Sequence, residues 1–189
     1  MSNNAVAAPR RGLVAIVGAA AAAALYTLTP SMEGTVYKTY RDPAGILTYC
    51  TGATEDAAWG KTYTPAECKA QLDRDLARHA EGISKCVKFD KLTDGQRVAY
   101  VDFAYNVGVG AFCGSTIARK ANAGDLAGSC DALLAWNKAK AWRPVLDKFG
   151  RTQKDAEGKV IYAWQFIVLP GLARRRDIER DYCLGSRRI

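Results

Sequence analysis

From Gly12 to Met32 the chain carries no charged residue, and Arg10 and Arg11 stand just ahead of that run. An uncharged leader behind two arginines decides in which compartment everything downstream folds. Gly12 to Thr29 is 18 residues. As a helix that run spans about 27 Å at ~1.5 Å per residue, against a bilayer core of about 30 Å. The arginines hold the start in the cytoplasm, so the expected topology is N-in, C-out, with everything after the run exported. The run is weakly apolar: seven alanines and two glycines dilute Leu13, Val14, Ile16, Val17, Leu25 and Leu28. Each strong membrane former offers only roughly −0.3 to −0.6 kcal/mol, so the balance for staying in lipid is small. A cleaved signal peptide and a permanent anchor both use such a run.

Export bears on the six cysteines, Cys50, Cys68, Cys86, Cys113, Cys130 and Cys183. None forms a CxxC, and a single histidine, His79, is too few for the common zinc sites. An even count in an oxidising compartment reads as disulfides. Many pairings are open on sequence alone; the expected set is Cys50–Cys68, Cys86–Cys113 and Cys130–Cys183. The first would tie a hairpin to the next helix, and the third would fasten the last helix to the core. Each contributes about 2–4 kcal/mol.

Directly after the leader comes a stretch with chemistry in it. Val36 to Tyr40 and Ile46 to Tyr49 are rich in β-branched and aromatic residues, with Asp42-Pro43-Ala44-Gly45 between them. Pro43 fixes φ and Gly45 is free to take positive φ, which predicts a β-hairpin. Glu33 would stand at its entry, Asp42 at its turn and Thr48 on its return strand. Cleaving a glycosidic bond needs a proton donor on one side and a carboxylate, or water it positions, on the other. Acids at hairpin ends are also ordinary turn chemistry, so spacing alone leaves both readings open.

The pattern E-x8-D-x5-T at Glu33, Asp42 and Thr48 resembles the active-site signature of T4-lysozyme-like phage lysozymes, the endolysins of glycoside hydrolase family 24. Gly52 and Thr54 fit the tail of that family's hairpin. Phe103-Ala-Tyr-Asn-Val-Gly-Val-Gly-Ala-Phe112, Ser115-Thr116 with Arg119-Lys120-Ala-Asn-Ala-Gly-Asp125, and Leu169-Pro-Gly-Leu-Ala-Arg-Arg-Arg176 with Glu179 resemble further family segments in the same order. The resemblance implies an α+β, lysozyme-like fold with a small hairpin lobe and a larger helical lobe. It implies a muramidase that hydrolyses the β-1,4 bond between N-acetylmuramic acid and N-acetylglucosamine for host lysis, with no metal or cofactor. Glu33 would be the general acid, buried enough to keep its proton. Asp42 would stabilise the developing cation or orient water, and Thr48 would position water or substrate. Retention or inversion depends on the carboxylate separation, which sequence does not give. One of Arg174, Arg175 and Arg176 is expected near Glu33, the group being partly solvated.

The resemblance adds a third reading of the leader. Some phage endolysins carry a signal-arrest-release segment, exported uncleaved, that tethers an inactive enzyme and later leaves the membrane. Residues 1–32 would be that segment and 33–189 the catalytic domain, held at the host inner membrane through residues 12–29 and then released to the periplasm. Residues 12–29 hold no cysteine, so activation would rest on refolding around Glu33 rather than on thiol exchange. The chain departs from the family at Cys50, often a glycine, at Ala53, often a histidine, and at residues 147–163, read as an inserted surface loop.

The remaining expectations are local. Thr64-Pro65-Ala66-Glu67 is a capping box opening a helix to about Ile83, and Thr93 with Gln96 opens another that Gly108 ends. Helices are predicted near 116–122, 126–136 and 170–184. His79 is read as a solvated helix position. Tyr40, Tyr105, Trp136 and Trp142 are candidates to line a sugar cleft, though each is more often core. The net charge of +8 leaves +6 on residues 33–189, which fits the acidic cell wall. No helix-turn-helix, zinc or RNA-binding signature points to nucleic acid, and a monomer is expected. Two rivals to hydrolysis stand: a lytic transglycosylase, which Asp42 argues against, and a non-catalytic membrane-anchored wall-binding protein.

Overall fold

Gly18, at φ 90, divides the uncharged leader into two helices, α1 (Leu13–Val17) and α2 (Ala19–Glu33). The computed structural model describes residues 11–42 and 45–189; Arg10 and the φ of Pro43, both used above, lie outside those residues. The expected single helix to Thr29 is therefore interrupted at Gly18 and extended past Pro30. Proline removes one N–H from the ladder, but Gly34 N donates to Pro30 O at 2.8 Å and the last turn closes on Glu33. Among the described residues no helix is long and apolar enough to cross a membrane. Instead Leu13, Val17, Ala21, Leu25 and Leu28 are buried in one core with Leu76, Val98 and Phe103.

Gly34, at φ 75, turns the chain into β1 (Val36–Arg41), which pairs antiparallel with β2 (Leu47–Cys50). The expected hairpin is present, with Tyr40 opposite Thr48 and Gly45 at φ 80. A second, small hydrophobic cluster of Tyr49, Cys50, Ala53, Tyr63 and Cys68 sits beneath it. Tyr49 and Tyr63 stack there with ring centroids 4.2 Å apart.

Both predicted capping boxes form. Thr64 opens α3 (Pro65–Ile83), and Thr93 opens α4 (Asp94–Val107), which ends at Gly108. A 3₁₀ turn (Phe89–Lys91) precedes α4; α5 (Val109–Cys113), α6 (Thr116–Asn122) and α7 (Leu126–Asp131) follow. The chain then makes a 3₁₀ turn (Ala132–Trp136) into β3 (Lys138–Pro144), which pairs with β4 (Tyr162–Val168), and closes in α8 (Pro170–Leu184). A Cβ at Gly95 would come within 2.1 Å of the Tyr182 carbonyl oxygen, so glycine there lets α8 lie against α4. The three disulfides are those expected: Cys50–Cys68, Cys86–Cys113 and Cys130–Cys183.

The inserted segment is not a plain loop. It is the outer half of a long arm from Lys138 to Val168, with bridges Leu146↔Thr152 and Lys154↔Val160 beyond the β3–β4 ladder. Val145 N donates to Ile161 O, Gln153 N to Val145 O and Ile161 N to Gln153 O, so the arm ends in two short turns around a three-way junction. Charged and glycine residues at the tip hid the alternating strands on either side of it.

Candidate active site

The chemistry of the site begins where α2 ends. Glu33 is its last residue, with 27 % of its side chain accessible, and its carboxylate is ion-paired with Arg175 Nη1 of α8. Arg175 is itself buried and spans a polar cluster. Its Nε donates to Asp102 Oδ2 at 3.0 Å and to Glu179 Oε1 at 3.2 Å, and its Nη2 to the Asp102 carbonyl at 3.2 Å. Thr29 Oγ1 donates to Asp102 Oδ1 at 2.8 Å, tying the end of the leader to α4. Arg176, fully buried, donates to Asn106 Oδ1 and Glu179 Oε1 and lies 4.6 Å over the Phe103 ring.

Burial opposes charge on Arg175, Arg176 and Glu179. It pushes the Glu179 carboxyl well above the usual range, against the pull of Arg176. On Arg175 burial alone would lower the pKa, but Asp102 and Glu33 outweigh it and hold the guanidinium charged. Arg175 is the hub of this cluster: removing it would leave the buried Asp102 and Glu179 without their shared cation in low dielectric.

Of the three sequence-predicted residues, two share one hydrogen-bonded turn. Asp42 Oδ1 accepts from Ile46 N at 2.8 Å, and Thr48 Oγ1 donates to Ile46 O at 3.0 Å. Thr48 is 4 % exposed, on the strand that carries Cys50 to Cys68. Glu33 belongs to the helical side, its ion pair running to α8. Cys50 adopts φ 50, a region that costs an L-residue roughly 1–2 kcal/mol. That is the physical content of its departure from the family's glycine.

A crevice opens between the hairpin lobe and α3. Arg78 bridges Glu55 at 2.6 Å and Asp75 at 2.7 Å across it. His79 is half-buried there rather than solvated: its Nδ1 meets Asp75 O at 2.7 Å and its ring lies 5.2 Å from that of Tyr105. Helical periodicity places His79 between charged neighbours but does not show that Tyr105 of α4 covers it. Burial, joined by the Arg78 charge, lowers its pKa. Tyr105 donates to Thr51 O at 2.5 Å; burial raises its pKa, with Asp75 and then Glu33 adding to the effect. Tyr105 is thus the candidate aromatic that lines this crevice within electrostatic reach of Glu33. Trp136 instead packs edge-on against Phe103 in the core, and Trp142 lies out on the arm.

Arg175 is the arginine that sequence could not single out, and Arg175 and Arg176 are buried rather than partly solvated. Asp102 was missed. A signal for it exists: a lone acid in the apolar run Val98-Ala-Tyr-Val-Asp-Phe-Ala104 demands a buried cation from another element. Among the described residues no cluster of His, Cys, Asp and Glu has metal-holding geometry.

The phage lysozyme family matches residues 30–179. A SAR-endolysin of Bacteriophage PS119 is 38 % identical over 183 residues, covering 93 % of each chain. The muramidase domain of SpmX from Asticaccaulis excentricus superposes with a TM-score of 0.68 at 28 % identity, over 85 % of this chain and 95 % of that one. An endolysin from Escherichia coli O157:H7 phage FAHEc1 gives 0.67 at 25 % identity, over 87 % and 93 %.

Proposed function

The chain belongs to the phage lysozyme family, and on that premise we propose that it lyses the phage host as a muramidase in which Glu33, Asp42 and Thr48 act on one glycan strand. It is a peptidoglycan-hydrolysing endolysin, a glycoside hydrolase of the bond between N-acetylmuramic acid and N-acetylglucosamine. Glu33 protonates the leaving glycosidic oxygen. Asp42 stabilises the developing positive charge on the sugar or orients the attacking water, and Thr48 positions that water. The observation that carries the reading is the seating of Glu33: a helix-terminal carboxyl group, aimed by a buried arginine, at the entry to the hairpin that bears the other two. Glu33→Gln is expected to fold normally and to clear permeabilised Gram-negative cells at least about a hundredfold more slowly. Undiminished lysis by that variant would remove Glu33 from the chemistry. Product ends separate the rival: reducing sugars mark hydrolysis, 1,6-anhydro ends a transglycosylase.

Residues 1–32 serve first as a signal-arrest-release segment and 33–189 as the catalytic domain. The relatives' SAR-endolysin names support this, and so does the burial of Leu13, Val17, Leu25 and Leu28 against α3 and α4. Leaving the bilayer exchanges lipid for protein core, so a weakly apolar run loses little. In the bilayer, residues 12–29 must be one helix, which requires Gly18 to give up φ 90. Mass spectrometry of the periplasmic enzyme is expected to find residues 12–29 still attached; a chain cut after the alanine run would make the segment a cleaved signal instead.

A further inference from the structure

The β3–β4 arm has no role in the reading above, yet it holds half the net charge. Residues 138–168 carry seven cations against three acids, a net of +4 of the chain's +8. Residues directly opposite in an antiparallel pair share a face. Lys138, Lys140, Trp142 and Pro144 therefore line one face with Val168, Phe166, Trp164 and Tyr162. Every ring on that face is open to solvent: Trp142 54 %, Tyr162 46 %, Trp164 59 % and Phe166 73 %. Lys140 Nζ stands 5.5 Å over Trp164, and at the tip Phe149 lies between Lys148 and Arg151.

We propose that this face of the arm docks on an anionic phospholipid bilayer. Tryptophan and tyrosine favour the depth of lipid headgroups, where an apolar ring meets lipid and its polar edge meets water. Phe166 and Val168 supply apolar surface with no polar atom to satisfy. Lys138 and Lys140 add attraction to anionic headgroups. The same face lacks what a glycan strand needs. It carries no Asp, Glu, Asn or Gln to hydrogen-bond sugar hydroxyls, and although Trp142 lies within 15° of parallel to Tyr162, it meets Trp164 at 61°, so the rings do not continue as one flat platform. Self-pairing is opposed by charge, because two arms of +4 each would repel. The contact is independent of the muramidase assignment and of the leader, since it uses neither Glu33 nor residues 12–29.

Co-sedimentation of the full chain with phosphatidylglycerol-containing vesicles tests it, against vesicles of phosphatidylcholine alone. Binding to the anionic vesicles is expected, weakened by added salt. Trp164→Ser/Phe166→Ser and Lys138→Gln/Lys140→Gln should each bind at least about tenfold more weakly, with thermal unfolding unchanged because these side chains are exposed. Both variants keep the leader, so unaltered vesicle binding would assign the affinity to that end and overturn the proposal. It is overturned as well if the parent chain ignores anionic vesicles. Two further results exclude it: variants in the Glu33→Gln background that lose sacculi but keep vesicles, or a dimer in sedimentation velocity that the variants abolish.

Discussion

The two hairpins of this protein share a turn and little else. Asp42, Asp147 and Asp155 each start an Asp-x-x-Gly turn. Their Oδ1 atoms accept from Ile46 N at 2.8 Å, Arg151 N at 3.0 Å and Lys159 N at 2.8 Å. Gly45, Gly150 and Gly158 donate back to the three aspartate carbonyls at 2.8, 3.0 and 3.0 Å. Around the first turn the strands are drawn into the protein: Thr39, Thr48, Tyr49 and Cys50 are buried, and Cys68 staples the return strand to α3. Around the other two the arm stands in solvent. Turn chemistry therefore says nothing about catalysis, and the hydrogen bond Asp42 makes to Ile46 is no evidence for its role. What separates the hairpins is what lies beside them. Only α8 connects the second to the site: it starts two residues after β4 and delivers Arg175 to Glu33.

That connection is the first place to break the comparison. Arg175→Met removes the partner of Asp102, Glu179 and Glu33, and is predicted to cost about 3–5 kcal/mol in urea unfolding together with lysis. A loss below about 1 kcal/mol would mean the cluster does not hold the site. Cys50→Ala/Cys68→Ala should cost about 2–4 kcal/mol. Hydrogen exchange should quicken at Thr48 and Tyr49 while the β3–β4 ladder keeps its protection. Glycine instead of alanine at position 50 should recover about 1 kcal/mol, since φ 50 suits it. Asp42→Asn and Asp155→Asn both retain the turn acceptor, so each should shift stability by less than about 0.5 kcal/mol. Lysis should fall about a hundredfold for the first and not at all for the second; equal activities would reduce Asp42 to a turn residue.

The smallest effect is a pH dependence. His79 is the only histidine, and burial lowers its pKa in the fold. Its neutral form is then favoured by folding. That contribution is complete above the ordinary pKa of about 6.5 and is lost as pH falls below it. Proton NMR of the single imidazole should titrate below about 6.5, and His79→Gln should flatten the acid side of the stability profile. A resonance titrating at or above the ordinary value would return His79 to solvent.

Much of this was legible in the residues because it depends on near neighbours. Thr64 with Glu67 and Thr93 with Gln96 satisfy helix ends within a single turn. Asp42 to Gly45 closes a hairpin within four residues, and the β-branched and aromatic residues of Val36–Tyr40 favour its strand. The residues alone left many cysteine pairings open; the expected set agrees with the three disulfides of the fold. The spacing of Glu33, Asp42 and Thr48 left turn chemistry and catalysis both open; it was the resemblance of that pattern to the phage lysozyme signature that implied glycoside chemistry.

Other features required distant segments to meet. Gly18 takes positive φ because α1 and α2 must both reach the core of α3 and α4, a demand no local pattern carries. Arg174, Arg175 and Arg176 look alike along the chain; only the close α4–α8 approach at Gly95 brings one of them beneath Glu33 and another over Phe103. Asp102 and His79 acquire their roles from residues on other helices. Side-chain pattern acts over a few residues, whereas burial and charge pairing act between surfaces that exist only after the chain has folded.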